Sequence, residues 1–323
     1  MKEIVFINRN LKKWKKFEQE FSSGAVNVDE LGDSFIRLTD DLSYSRTFYP
    51  GSKTTTYLNQ LASRVHQIIY RNKKEKRGGI KKFFFHDLPL VNHKNRNKIL
   101  YSFLIFASAI LIGIISSAND DSFVRLIMGD TYVNMTQSNI DKGDPMAVYK
   151  QAKKIDMFLG ITVNNIKVAF IAYIMGLFLS FGSAYVLFAN GIMLGAFQYF
   201  FYQKGLLLES VLTIWIHGTL EISAIIIAGG AGMVMGNSIL FPGTYSRKVS
   251  FIRGAREGIK MVTGLVPVFI IAAFFEGFVT RHTDLPAFIR ASIIIFSLVF
   301  IIWYFIIFPI KIFKKESNGN KPR

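Results

Sequence analysis

Apolar and polar residues follow one another in two different ways along this chain. Up to about residue 97, apolar residues recur every three or four positions between polar ones, as in Leu11, Trp14 and Phe17. This spacing predicts amphipathic helices near 3–22, 28–48 and 53–73. From residue 99 onward the apolar residues form runs of about 20 residues, the length that crosses the hydrocarbon core of a bilayer. We therefore predict an all-α protein whose N-terminal helical region, membrane domain and basic tail occupy residues 1–97, 98–311 and 312–323.

The apolar runs predict about six membrane-spanning helices. The pair Asn190-Gly191 is interpreted as a break, so the third span is expected to be short or broken. Six crossings place the basic segments at 247–260 and 311–315 on the same side as the N-terminus, as the positive-inside trend requires. The nearly neutral segment 118–160 then lies outside. The predicted spans are 99–117, 165–188, 190–204, 208–236, 262–280 and 287–310.

Composition and charge narrow the class of protein. Half of the 323 residues are hydrophobic, and the formal net charge is +17. The basic residues cluster beside the apolar runs without an aromatic recognition motif, which is typical of cytoplasmic flanks facing anionic lipid rather than of nucleic-acid binding. The absence of cysteine excludes disulfides and thiolate metal sites. We expect the inner membrane of a prokaryote, both termini inside, and an interfacial segment near 80–90, where three Phe follow two Lys.

Four ionisable residues interrupt the apolar spans. His217 and Glu221 are four positions apart, so they share one face of a helix. Glu276 ends the next span, and Arg290 lies one turn into the last one. The six-span topology brings all four to one membrane depth. Because charged groups are costly in hydrocarbon, this intramembrane polar cluster is the candidate functional site.

Three hypotheses for the cluster remain open at this point. In the first, the cluster is a structural network in which Arg290 pairs with Glu221 or Glu276 while His217 donates to Glu221. In the second, it is a polar pathway for a cargo. In the third, His217, Glu221 and Glu276 form a metal site for hydrolysis. A single histidine and the lack of an H-E-x-x-H motif argue against the metal hypothesis. We therefore expect no metal, no cofactor and no catalytic residue.

Glycines in the spans predict close helix packing. Two G-x-x-x-G patterns occur, Gly191 to Gly195 and Gly232 to Gly236. Small residues at this spacing let membrane helices approach one another. The patterns favour packing within the chain, and a homodimer stays an open alternative. The other residues assigned to packing are Gly218, Gly229, Gly230 and Gly277.

An ordered set of motifs resembles the stage II sporulation protein M family. In the membrane domain these are Asn190-Gly191-Ile192-Met193-Leu194-Gly195, His217-Gly218-x-x-Glu221-Ile222, the glycine-rich stretch 228–236 and Ala272-Ala273-Phe274-Phe275-Glu276-Gly277-Phe278. The N-terminal region is similar to the longer, non-sporulation branch of the family. The residues that carry this second similarity are Asp41, Arg46, Tyr49, Pro50, Asn59, His66 and Tyr70.

The resemblance implies a polytopic membrane protein without enzymatic activity. In spore formers the shorter relative works with two peptidoglycan-degrading partners during septal wall thinning and engulfment. We therefore expect a scaffold or assembly component of a cell-envelope complex, which binds envelope or peptidoglycan-active proteins and, through residues 1–97, a cytoplasmic partner. The alternative is a transporter, flippase or channel subunit that uses the intramembrane polar cluster. An intramembrane metallohydrolase is the enzymatic alternative.

Overall fold

The computed structural model describes residues 2–23, 28–71, 79–147, 154–282 and 285–319. Within these ranges the secondary structure is helical and contains no strand, which confirms the predicted all-α class. The chain divides into two compact units, Met1–Gly79 and Ile80–Arg323. We describe each unit by itself.

The N-terminal unit consists of three helices with their own core. These are α1 (Glu3–Ser23), α2 (Val28–Phe48) and α3 (Lys53–Arg71), close to the predicted ranges. Each helix contributes its apolar face, and Trp14, Leu38 and Leu58 are fully buried between them. Burial of these large side chains stabilises the unit, since each contributes about 1.5–3 kcal/mol relative to exposure.

Several residues of the N-terminal motif hold these helices together. Asp41 on α2 accepts hydrogen bonds from Trp14 Nε1 at 2.8 Å and Lys13 Nζ at 2.6 Å on α1. Arg46 on α2 donates to Asn59 Oδ1 on α3 at 2.6 Å. Tyr49 and Pro50 form the turn between α2 and α3. His66 is exposed on α3, and the side chain of Tyr70 lies outside the described residues.

The segment expected to be interfacial packs against the membrane unit. It comprises α4 (Ile80–Lys82), a π-helical turn (Phe83–Asp87) and α5 (Leu88–Lys94). Leu88 is fully buried in the core of the membrane unit, and Tyr304 Oη donates to the carbonyl oxygen of Phe84 at 2.7 Å. The division between the units therefore falls after Gly79, earlier than the expected residue 97.

The membrane unit contains six helices that are long and apolar enough to cross a bilayer, counted over the described residues. Between the first and second spans lie two short helices, α7 (Asp121–Met128) and α8 (Asp130–Asp141). A further helix, α14 (Phe308–Gly319), continues the last span. The helices that form the spans are α6 (Arg96–Asn119), α9 (Lys154–Ile174), α10 (Phe181–Gln203), α11 (Leu207–Leu240), α12 (Arg247–Phe274) and α13 (Ala287–Ile302).

The predicted break at Asn190-Gly191 is wrong. Helix α10 runs without interruption through both residues, and the chain turns earlier, at Leu179 and Ser180. These two residues have φ values of 54° and 71°, a left-handed conformation that ends a helix. The amide of Asn190 donates to the carbonyl oxygen of Val186 at 2.8 Å, so its polar group is satisfied inside the helix. The third span is therefore 181–203, a full-length crossing in place of the short element 190–204.

Helix α11 lies at the centre of the membrane unit. It contacts α6, α9, α10, α12 and α13, and it is the most buried of the six spans in the described structure. Its 34 residues correspond to about 51 Å, longer than the roughly 30 Å hydrocarbon core, so it is tilted or extends beyond the core. Several polar residues of α11, among them Thr213, His217 and Thr219, are buried.

Glycine allows the helix backbones to approach each other closely at two crossings. A Cβ atom at Gly195 of α10 would collide with the backbone of α6 at Ile110. A Cβ atom at Gly232 of α11 would collide with the backbone at Ala172 and with Ser183. The structure assigns Gly218 no comparable role, since a Cβ atom there would meet nothing nearer than 3.7 Å. Its assignment to helix packing is thus corrected: the contact at that position involves ordinary van der Waals distances.

The contrast between two of these glycines provides a matched test of helix packing. Gly195→Ala is expected to lower the free energy of unfolding by about 1–3 kcal/mol, because the added methyl group forces two backbones apart. Gly218→Ala is expected to be neutral or to stabilise the protein by up to about 1 kcal/mol, since alanine is the better helix former. Thermal unfolding of both variants in mild detergent measures the difference, and equal melting temperatures would contradict the packing assignment.

Candidate functional site

A polar stripe runs along the central helix at every fourth residue. It consists of Glu209, Thr213, His217 and Glu221 on α11. Residues four apart are neighbours on a helix surface, but each step advances about 40° around the axis, so the stripe turns gradually along α11. Its two halves bind different neighbours: Glu209 and Thr213 contact α13, whereas His217 and Glu221 contact α9 and the end of the α12 span.

His217 is held in place by residues that follow α12. A π-helical turn, Phe275–Val279, extends that helix and carries Glu276. The amide of Thr280 closes this turn on the carbonyl oxygen of Phe275 at 2.8 Å. Thr280 Oγ1 then forms a hydrogen bond of 3.1 Å with Nδ1 of His217. The other ring nitrogen, Nε2, lies 3.7 Å from Glu276 Oε2, which is longer than a hydrogen bond.

Glu221 completes the group on the side of α9. The side-chain amide of Asn165 on α9 donates to Glu221 Oε1. One ligand atom from each of His217, Glu221 and Glu276 lies within 4.8 Å of the other two. We call these three residues the His–Glu–Glu cluster. Its imidazole side chain is only 5% exposed and the Glu276 side chain 15%, so the cluster is largely shielded from solvent.

A cavity of about 350 Å³ reaches the cluster. Its remaining wall is formed by α9, through Gly160, Ile161, Asn164 and Asn165. Gly160 and Asn164 are exposed, whereas His217 is buried, so the cavity leads from the surface of the unit to the carboxylates. The polar groups of the lining include two amides, two carboxylates and one imidazole.

The cavity lies toward one end of the membrane unit. Gly160 is near the beginning of the span Met157–Leu177, and Glu276 is near the end of the span Arg247–Val279. Since these spans run in opposite directions, both positions belong to the end that also carries α7 and α8. This is the end that the charge pattern predicts to be outside.

Arg290 does not belong to the His–Glu–Glu cluster, contrary to the prediction. Its Nη1 donates to Glu209 Oε1 at 2.6 Å and to Thr213 Oγ1 at 3.2 Å. Thr213 Oγ1 also donates to Glu209 Oε1 at 3.1 Å. The prediction placed all four residues at one membrane depth, but Glu209 and Thr213 lie about two turns and one turn before His217 on α11. Arg290 therefore pairs with a carboxylate two turns before His217.

Sequence reasoning missed the residues that surround the predicted ones. Asn165 and Thr280 orient Glu221 and His217, and Glu209 neutralises Arg290. One signal was available for Glu209 and Thr213, because they precede His217 at intervals of four. A second was the pair Asn164-Asn165 within an apolar run. Thr280 carried no sequence signal of its own.

The fold and the site define a polytopic α-helical membrane protein with a buried acidic and imidazole cluster in its core. The family model described as Stage II sporulation protein M matches residues 102–281, which is more than half of the chain. The chain belongs to this family. The match includes His217, Glu221 and Glu276, and it confirms the resemblance inferred from the motifs.

Two further comparisons describe the rest of the relationship. Residues 4–71 match a model described as a Domain of unknown function (DUF8413), which corresponds to the N-terminal unit. An uncharacterized protein of Methanocaldococcus jannaschii is 25% identical over 191 residues, which cover 58% of this chain and 83% of that protein. No solved structure matches the chain.

The pairing of Arg290 predicts an asymmetric effect of single substitutions. Glu209→Gln is expected to destabilise the protein more than Arg290→Met, because it leaves a buried guanidinium without a counter-charge, whereas Glu209 is about one-third exposed. Partial exposure reduces the cost from the roughly 3–5 kcal/mol of a fully buried pair to about 1–3 kcal/mol. Melting temperatures of the purified variants measure the order. Asp130→Asn, in an exposed pair with Arg125, is the control, and an effect of equal size there would contradict the assignment.

Proposed function

We propose that the membrane domain binds a cationic solute in the cavity at the His–Glu–Glu cluster and passes it through the protein, as a transporter or channel subunit does. The observation that carries this proposal is the cavity of about 350 Å³ that leads from the exposed residues Gly160 and Asn164 to Glu221 and Glu276. The proposal assigns no chemical step to the chain.

The packing around the cluster supports binding more than a purely structural role. A network that only fixes helix packing is expected to be closed and internally paired, since each unsatisfied polar group in a membrane interior is costly. Arg290 is paired in this way through Nη1, which donates to Glu209 and Thr213. The cluster differs because the cavity adjoins all three of its side chains.

The charge of the lining supports a cation as the solute. The acidic groups of the lining are Glu221 and Glu276, and the two carboxylates lie close together. When both are ionised they repel each other, and a cation placed between them removes this repulsion. Ionisable residues inside membrane proteins commonly mark the path of a substrate or an ion.

A scaffold role in a cell-envelope complex is the second proposal. It is favoured by the N-terminal unit, which has its own core around Trp14, Leu38 and Leu58 and therefore has the form of a separate binding module. Family membership supports a link to peptidoglycan-active partners, as in the sporulation type. In this proposal the N-terminal unit faces the cytoplasm of a prokaryote and binds a partner there, while the segment between α6 and α9 faces an outside partner.

Ion flux through reconstituted protein tests the transport proposal. The full chain is placed in liposomes that contain indicators for H⁺, Na⁺ or divalent cations, and influx is followed after a concentration step. We expect flux of at least one of these cations, and at least a tenfold loss in Glu221→Gln and Glu276→Gln. The reason is that both substitutions keep the shape of the side chain while removing its charge.

The matched control for this experiment is Glu257→Gln. Glu257 lies on α12, the helix that leads to Glu276, but it pairs with Lys94 and Asn95 and does not line the cavity. We expect the Glu257→Gln variant to conduct cations as the unmodified protein does. Folded wild-type protein that conducts none of the three cations, or equal flux in Glu221→Gln, would overturn the transport proposal.

The scaffold proposal is tested by affinity purification in mild detergent with mass spectrometry. The tagged full chain is compared with a chain that lacks residues 1–79; this boundary keeps Leu88 and Phe84 in the membrane unit. We expect a stoichiometric cytoplasmic partner that disappears on truncation, together with wall-active proteins that remain. Purification of both forms without any partner would contradict a scaffold role.

A further inference from the structure

We propose that His217, Glu221 and Glu276 coordinate one divalent first-row transition-metal cation, of the class of Mn²⁺, Co²⁺ and Zn²⁺. The ligands are Nε2 of His217 and one carboxylate oxygen from each glutamate. The inference rests on the proposed function where it identifies the cation as the transported solute or as an ion that accompanies the solute. Binding itself is measured independently of flux.

The spacing of the three ligand atoms matches a coordination sphere. Metal–ligand bonds of about 2.1 Å place neighbouring ligand atoms of an octahedral ion about 3.0 Å apart and opposite ones about 4.2 Å apart. Nε2 of His217 is 3.7 Å from Glu276 Oε2, and all three atoms lie within 4.8 Å of one another. The three atoms are therefore near the separations that one shared ion requires, and side-chain rotation adjusts the rest.

Neighbouring residues orient two of the ligands. Thr280 Oγ1 binds Nδ1 of His217 at 3.1 Å; when that nitrogen carries the proton and donates it, Nε2 presents its lone pair toward Glu276. Asn165 donates to one oxygen of Glu221 and thereby fixes its carboxylate. Metal-binding histidines usually have such a partner on the other ring nitrogen, and ligating carboxylates are usually hydrogen-bonded in turn.

Charge balance favours a divalent ion over a monovalent one. Two ionised carboxylates carry two negative charges in a site that is largely shielded from solvent. One divalent cation neutralises both, which avoids the cost of an unpaired charge inside a membrane protein. Among divalent cations, the imidazole nitrogen favours transition metals, because Mg²⁺ and Ca²⁺ prefer an all-oxygen environment whereas transition metals accept imidazole.

The cavity supplies the remaining coordination positions. Three protein ligands leave one to three positions for water in a four- to six-coordinate ion. The cavity of about 350 Å³ beside the cluster is large enough for several water molecules and is lined by the amides of Asn164 and Asn165. The cavity therefore provides a route to the cluster from the exposed residue Gly160.

Direct metal binding tests the proposal. The untagged full chain in detergent is freed of metal with a chelator and titrated with Mn²⁺, and free Mn²⁺ is followed by electron paramagnetic resonance. We expect one Mn²⁺ per chain, competition by Zn²⁺ and Co²⁺, and no competition by equimolar Mg²⁺. Glu221→Gln, Glu276→Gln and His217→Gln should each weaken binding at least tenfold, and Thr280→Val about 10–100-fold, because it leaves the imidazole unoriented.

Controls keep the result independent of protein stability. Glu257→Gln should bind Mn²⁺ as the unmodified chain does, because Glu257 lies outside the cluster. Where a cluster variant does not fold, pulsed electron paramagnetic resonance is applied to Mn²⁺ bound to the unmodified protein. We expect it to detect coupling between Mn²⁺ and a histidine nitrogen. Absence of that coupling, absence of stoichiometric binding, or equal binding by the folded Glu221→Gln variant would overturn the proposal.

The outcomes separate this inference from the transport proposal. Stoichiometric, cluster-dependent Mn²⁺ binding without flux establishes the metal site and removes the transport role. Cluster-dependent flux of H⁺ or Na⁺ without divalent binding keeps the transport proposal and overturns the metal site.

Discussion

The structure depends on the need to satisfy the polar groups of one central helix within protein. Hydrocarbon offers no hydrogen-bond partner and solvates charge poorly, so Glu209, Thr213, His217 and Glu221 on α11 require neighbours that supply both. Three of the five spans around α11 provide them: Arg290 comes from α13, Asn165 from α9, and Glu276 with Thr280 from the end of the α12 span.

Close packing makes that arrangement physically accessible. Gly195 and Gly232 allow backbones to approach at distances that any side chain would prevent, and α11 is thereby enclosed by its neighbours. The two halves of the polar stripe nevertheless differ in character. Glu209 and Thr213 are bonded to Arg290 in a compact network, whereas the His–Glu–Glu cluster adjoins a cavity. One helix therefore combines a stabilising ion pair with a candidate binding site.

Much of the fold was accessible from the residue pattern, and the failures have definite causes. The three N-terminal helices and the all-α membrane class follow from apolar spacing and run length, which are local properties. The break assigned to Asn190 failed because the amide bonds to Val186 within its own helix, while the real turn uses two non-glycine residues with positive φ. At the real turn the hydroxyl of Ser180 donates to the carbonyl oxygen of Met233 on α11 at 3.2 Å, a contact that the sequence does not reveal.

Taken alone, the sequence determined the class of protein, the number of spans, the family and three members of the polar cluster, because hydrophobic run length, charge placement and helical spacing are properties of the chain itself. Only the tertiary structure decided that Arg290 pairs with Glu209, that Asn165 and Thr280 orient the cluster, and that a cavity reaches Glu221 and Glu276. The physical reason is that such contacts join residues more than 50 positions apart, and they depend on the rotation of each helix about its axis. Helical spacing along the chain indicates which residues of one helix share a face; the packing of neighbouring helices determines which side chains of different helices meet.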